Sequence, residues 1–222
     1  MANYPQIPSA YTREAYNAKS KLYLSGVIPM AFYNQYKAGT ALASSTTATS
    51  IFTGATALGS LALPGDFFQE SLTLPEQELG SVTAAPGGII HIHAEGTMGT
   101  SVTPNLTITA GLNDAGTYTA YTTSGAVATV ATTAPGDWTL DVIMQCRTLG
   151  PASIAQIYAG GIFRYFSGAN AVLEGIPLAH TITTGTTFVP ADTLTVDAQF
   201  TWGTSSASNT ITTQMAYVEM KW

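Results

Sequence analysis

In residues 193–202, Leu194, Val196, Ala198 and Phe200 alternate with Thr195, Asp197, Gln199 and Thr201. That period of two suits a strand with one dry and one wet face, and no helix can satisfy it. Leu106 and Ile108 alternate with Thr107 and Thr109 in the same way. Such patterns, together with runs rich in the β-branched residues Thr and Val, predict strands over residues 50–53, 59–63, 68–74, 88–95, 105–111, 117–122, 126–131, 138–148, 152–165, 181–184, 193–202 and 210–220. Turn chemistry separates them at Pro64-Gly65, Pro86-Gly87-Gly88, Asn113-Asp114-Ala115-Gly116, Ser124-Gly125 and Pro135-Gly136. Gly160-Gly161 interrupts a strand pattern, where a bulge or bend is expected. No repeat of fixed period appears, so propellers and solenoids are disfavoured. The expectation is an all-β fold, an antiparallel jelly-roll-like β-sandwich.

The N-terminal stretch does not follow this pattern. Residues 1–37 hold four of the seven basic residues and six of the eleven tyrosines, whereas residues 38–146 contain no Lys or Arg. Arg13, Lys19, Lys21 and Lys37 against Glu14 make this stretch +3, so the remainder carries −9 of the formal −6. A short helix is expected near residues 12–24, where Tyr16, Lys19 and Tyr23 recur at helical spacing. Burying the tyrosines returns less free energy than ordering the whole stretch costs, so its own domain or a partner has to order it. The chain therefore divides into an extended arm, residues 1–45, and a sandwich domain, residues 46–222. Tyr4, Tyr11, Tyr16, Tyr23, Tyr33 and Tyr36 are the expected partner anchors, with Arg13, Lys19 and Lys21 setting register on an acidic surface.

Charged residues are only 9% of the chain, far below the roughly 25% of an ordinary soluble domain. A neutral, hydroxyl-rich surface suits a protein packed in an assembly, because interface cores are depleted in charge. The basic residues of the arm are too sparse for a nucleic-acid tract, and the acidic remainder argues further against that partner. No apolar run approaches the length that spans a bilayer, so no membrane role is expected. Cys146 is the only cysteine, which rules out an intrachain disulfide and a thiolate cluster. Its place in a strand pattern reads as a small, buried or half-buried side chain.

Three constellations could carry chemistry. His91, His93 and Glu95 fall at i, i+2 and i+4 of a strand, on the face opposite Ile90, Ile92 and Ala94. Two imidazoles and a carboxylate can hold a divalent metal. With only His180 elsewhere, the expectation is instead a polar face or a contact between subunits, where a histidine pair makes assembly pH-sensitive. Asp66, Glu70, Glu76 and Glu78 cluster in sequence, but paired carboxylates need one raised pKa and a fixed separation before they hydrolyse anything. Tyr118 and Tyr121 flank a predicted loop and are the candidates for stacking on a glycan. No nucleophile elbow or phosphate loop is present, so no catalytic residue, metal or cofactor is assigned.

The segments GDWTLDVIMQCRTLG, SIAQIYAGGIF and TLTVDAQFTWGTSSASNTITTQMAYVEM resemble those of tailed-bacteriophage virion structural proteins of the jelly-roll capsid cement or decoration type. The likeness runs over about residues 49–219 and rests on Trp138, Arg147, Gly150, Trp202, Ser208, Asn209 and Ile211. These are packing and turn positions. The resemblance implies a non-enzymatic protein on the capsid exterior of a virion, made in the bacterial host cytoplasm. It would be a homotrimer that bridges subunits of the major capsid protein. The alternatives are a receptor- or glycan-binding protein of a head fibre or tail, acting through loops near residues 118–121 or 205–209, and a minor head structural protein.

Overall fold

The computed structural model describes residues 30–53, 57–59, 61–63, 89–100, 103–114, 116–131, 135–148, 155–167, 172–186 and 194–221. Within them the chain is all-β: two antiparallel sheets pack against each other as a sandwich. The strands are β1 (Met30–Gln35), β2 (Leu42–Ala43), β3 (Thr49–Ser50), β4 (Ala57–Gly59), β5 (Ile89–Gly99), β6 (Asn105–Asp114) and β7 (Thr117–Thr123). They continue with β8 (Val127–Ala128), β9 (Gly136–Thr148), β10 (Ala155–Ser167), β11 (Val172–Thr186), β12 (Leu194–Trp202) and β13 (Thr210–Lys221). No described helix is long and apolar enough to cross a membrane.

The larger sheet runs β11-β10-β9-β5-β13-β1-β4, with β2 also on β13; the smaller runs β3-β12-β6-β7, with β8 also on β6. Between β5 and β6, and again between β12 and β13, the chain crosses from one sheet to the other. The pair β5:β13 in one sheet is thus continued by the pair β6:β12 in the other, as one ribbon folded over the core. Hairpins then extend the larger sheet through β9, β10 and β11.

The predicted alternation is realised strand by strand. Ile90, Ile92, Ala94 and Met98 of β5 point inward, as do Leu194, Val196, Ala198 and Phe200 of β12. Between the sheets, Trp138 and Phe163 of the larger one meet Phe200 of the smaller, edge to face with Trp138 at 5.4 Å and with Phe163 at 5.6 Å between ring centroids. Edge-to-face rings add directional attraction to their large buried area. The Trp138 indole N–H donates to the Thr97 carbonyl at 3.1 Å, whereas the equally buried indole N–H of Trp202 has no acceptor among the described residues.

Two glycines permit close strand approach. A Cβ on Gly96 would strike the Thr212 carbonyl, beside the register shift between Thr213 and Met215. One on Gly111 would strike the Thr119 carbonyl, at the shift between Ala110 and Gly111. The bend expected at Gly160-Gly161 is likewise a register shift, between Ala159 and Gly161 against β11. The Asn113–Gly116 turn closes the β6–β7 hairpin: the Asn113 Oδ1 accepts the Gly116 N–H at 2.9 Å, and Gly116 has φ 94°, a left-handed value that favours glycine.

The start of the sandwich lies earlier than the expected boundary at residue 45. β1 pairs with β13 and β4, and β2 pairs with β13, so residues 30–43 belong to the larger sheet. Tyr33 is 6% exposed and packs edge to face on Phe52 at 5.2 Å. Gln35 is fully buried and donates to the Lys37 and Thr213 carbonyls. Packing of these two side chains makes a strand of a stretch whose basic, tyrosine-rich composition points to an arm. The predicted strand over 68–74 and the helix near 12–24 lie outside the described residues, as does the side chain of Cys146 in β9.

Candidate functional site

The face of the larger sheet that looks away from the core carries the densest polar grouping among the described residues. His91, His93 and Glu95 project from it as predicted, opposite the fully buried Ile90, Ile92 and Ala94. Strand register supplies their partners. Asp141 of β9 lies opposite His93, and on the other side Tyr217 and Glu219 of β13 lie opposite His93 and His91.

His93 occupies the centre. Its Nδ1 lies 2.7 Å from the Asp141 Oδ1 and its Nε2 lies 2.9 Å from the Glu95 Oε1. Carboxylate oxygens only accept, so it is the protonated ring, with two N–H donors, that satisfies both contacts at once. Burial by itself lowers the His93 pKa, but the hydrogen bonds and charges of Asp141 and Glu95 outweigh it and carry the group above its ordinary 6.5. Tyr217 stacks on the same ring at 4.9 Å and 25°. Burial, then the charges of Glu219, Asp141 and Glu95, push the Tyr217 hydroxyl up, so it stays protonated.

The network continues outward along the sheet. His91 stands with its Nδ1 3.5 Å from Glu219 and its Nε2 3.6 Å from Asp141, and the Arg164 guanidinium lies 3.6 Å from the second Asp141 oxygen. Four neighbouring strands, β13, β5, β9 and β10, thus contribute charges of alternating sign. The exposed apolar side chains of Ile143, Phe166, Leu173 and Met215 belong to these strands and to β11.

No group of three or more His, Cys, Asp or Glu side chains among the described residues is arranged to hold a metal ion. The chemistry explains it for His93, since both its nitrogens are committed to carboxylates. His180, the third histidine, sits apart, its ring against Gly160 and 6.0 Å from that of Tyr158.

The other sequence candidates fare unequally. Tyr4, Tyr11, Arg13, Tyr16, Lys19, Lys21 and Tyr23 lie outside the described residues, as do Asp66, Glu70, Glu76 and Glu78. Tyr36 is 54% exposed and open to a partner, but Tyr33 belongs to the core and is corrected from anchor to packing residue. Tyr121 is 2% exposed and so has no ring face open to a sugar, whereas Tyr118 is half-buried with its hydroxyl donating to Thr109 at 3.2 Å. Asn209, in the other proposed ligand loop, is buried and ties that loop together by donating to the Thr204 carbonyl.

Sequence reasoning missed Asp141, Arg164, Tyr217 and Glu219. Alternation alone puts Asp141 on the outward side of Leu140 and Val142. What it could not give was the register that sets it against His93. Compared with protein-family models, curated proteins and solved structures, the chain matches none.

Proposed function

We propose that this protein is a structural component of a bacteriophage virion, a cement or decoration protein that binds the outside of the head and bridges subunits of the major capsid protein. It turns over no substrate. The observation that carries the reading is the outer face of the larger sheet. Charge is scarce in this chain, yet here it is gathered into one internally paired network beside exposed Ile143, Phe166, Leu173 and Met215. Exposed apolar side chains on one face suit an interface, and pairing the few charges there with one another lessens the cost of covering them.

In this reading the face, with His91, His93 and Glu95 at its centre, joins copies of the protein into a trimer. The folded ribbon of β5:β13 and β6:β12 supports a jelly-roll-like winding of the sandwich. The basic segment before β1 runs onto the major capsid protein, and the exposed Tyr36, just after β1, adds to that contact. A trimer gripping the shell at several points gains avidity without any strong single contact, and a closed ring matches a local symmetry axis of the shell.

Quantitative electrophoresis of purified virions tests the role. Near-stoichiometric copies relative to the major capsid protein, whose removal by mild chaotrope makes full heads leak DNA, are expected. A few tens of copies, with heads intact after removal, would overturn cementing in favour of a minor head component.

A further inference from the structure

We propose that the outward face of the smaller sheet binds a neutral sugar, with Tyr118 of β7 as the ring on which it rests and Asp197 and Gln199 of β12 as the groups that meet its hydroxyls. The inference goes beyond the reading of the larger sheet and stands without it, because the two faces share no residue.

Register builds the platform. Asp197 lies opposite Gly111, and Gln199 lies opposite Thr109. Tyr118 starts opposite Asn113, yet its hydroxyl donates to Thr109, well back along β6. To get there the ring has to lie along β6 past Gly111, which has no side chain to stand in its way. Gly111 is buried although it alternates with the half-buried Thr109 and Asn113, as a residue under a ring must be. Tyr118 itself is half-buried, so a ring covered below by the sheet keeps surface on its outer side.

The polar groups beside the ring are held in place without a ligand. The Ser50 hydroxyl donates to the Asp197 Oδ1 at 2.6 Å and the Gln199 amide to the Oδ2 at 2.8 Å. Counting the Ala198 backbone N–H, three donors reach the carboxylate, which leaves it room for about one more. The Gln199 side-chain oxygen has no donor among the described residues, and its amide has a second hydrogen to give. A sugar supplies what fits: neighbouring hydroxyls that donate to Asp197 and exchange hydrogen bonds with Gln199, above a C–H face that packs on an aromatic ring. Thr107, Thr109, Thr195 and Thr201 complete a face on which Asp197 is the only charge among these residues.

The fold does not explain that charge. Asp197 alternates with Thr195 and Gln199 on the wet side of β12, where a neutral side chain would serve the strand as well. Burial pushes its carboxyl up, and burial together with the Asp197 charge pushes the Tyr118 hydroxyl up despite the Thr109 hydrogen bond, so the two groups feel each other. A position that departs from what the strand needs is where function is sought.

The labelled full chain, applied to an array of immobilised neutral, sialylated and amine-bearing oligosaccharides, tests this. Retention on neutral oligosaccharides is expected. The tightest of them is then titrated against the wild type, Asp197→Asn and Tyr118→Leu. Asp197→Asn should keep the thermal midpoint and weaken binding about tenfold, because a hydrogen bond to a charged acceptor becomes one to a neutral group. Tyr118→Leu keeps Gly111 covered but loses the planar ring, and should weaken binding about fivefold. No retention on any neutral oligosaccharide, or retention confined to sialylated or amine-bearing ones, overturns the proposal. So does an affinity that either variant leaves unchanged. Should Tyr118→Leu fail to fold, the Gln199 side-chain amide of the wild type can be followed by NMR as the sugar is added. A shift that saturates with the sugar is expected, and an unmoved signal overturns the site.

Discussion

The two sheets solve the same problems with different chemistry, and the difference shows where each depends on its surroundings. Each carries an outward aspartate, Asp141 in β9 and Asp197 in β12. Asp141 is met by His93 and Arg164, and His91 lies close by. Among the described residues Asp197 is met by neutral donors, the Ser50 hydroxyl at 2.6 Å and the Gln199 amide at 2.8 Å. Charge is therefore balanced by charge on the larger sheet, and solvated by dipoles on the smaller one. The inner faces differ too, since the larger sheet's Trp138 has its acceptor and the smaller sheet's Trp202 has none among the described residues.

The largest effects should be where the two sheets are alike. Gly96→Ala and Gly111→Ala each force a Cβ onto a facing backbone carbonyl, which cannot rotate away as a side chain does. Each should cost on the order of 2 kcal/mol, or about 4–8 °C in Tm for a chain of this size. Thermal unfolding of the two variants side by side checks it. Equal losses mean that both sheets are part of one cooperative unit; a loss confined to Gly96→Ala would mean that the smaller sheet relaxes independently.

The tryptophans separate the sheets. Trp138→Phe and Trp202→Phe remove similar volume, but the first leaves the Thr97 carbonyl short of a donor and the second deletes a donor that has no acceptor. Denaturant unfolding should show Trp202→Phe to be less costly by about 1 kcal/mol. A larger cost for Trp202→Phe would mean that its indole finds a partner outside the described residues.

The inward faces of both sheets were legible in the sequence; the partners that set the two sheets apart were not. Strict alternation around Val196 and Ile92 showed which side chains face inward, because the period of a strand is a local property. The outward positions of His91, His93 and Glu95 followed from the same rule. Their partners did not, since Asp141 and Glu219 lie far off in sequence and only register brings them near. β1 escaped for another reason. Its six residues sit in a stretch dominated by tyrosine and basic side chains, and a buried Gln35 beside Tyr33 breaks the usual link between polarity and exposure. β11 runs from Val172 to Thr186, although only 181–184 has strand character by composition; Gly175 and Pro177 interrupt the pattern, and Pro is tolerated because β11 is an edge strand.

Asp141→Asn tests the larger sheet's reliance on charge. The variant keeps the shape but removes the charge and leaves an amide in place of an acceptor that served two cations. A loss of about 0.5–1 kcal/mol is expected at pH 6, kept small by the exposure of these side chains. The loss should shrink as pH rises and His93 gives up its proton, and the His93 pKa in the variant should fall. A loss that grows with pH would mean that Asp141 acts through something other than the histidine.

The smallest effect should have the opposite sign. Burial pushes the Asp197 carboxyl up, and the hydrogen bonds from Ser50, Gln199 and the Ala198 backbone offset it only in part. A carboxyl that holds its proton more tightly in the folded chain than in the unfolded one subtracts stability as pH rises from its ordinary 3.8 through the folded value. At neutral pH Asp197 is thus a charge that the smaller sheet tolerates, whereas Asp141 has cations beside it. In Asp197→Asn the side-chain oxygen can still accept the Ser50 hydroxyl, and Gln199 can turn its amide to offer an oxygen to the new N–H. The variant should therefore match the wild type near pH 3 and equal or slightly exceed it at pH 7, by no more than about 0.5 kcal/mol. Tm measured across that range decides the matter. A variant that falls progressively below the wild type as pH rises would mean that the ionised carboxylate has a cation beside it, and that the two sheets handle their aspartates in the same way after all.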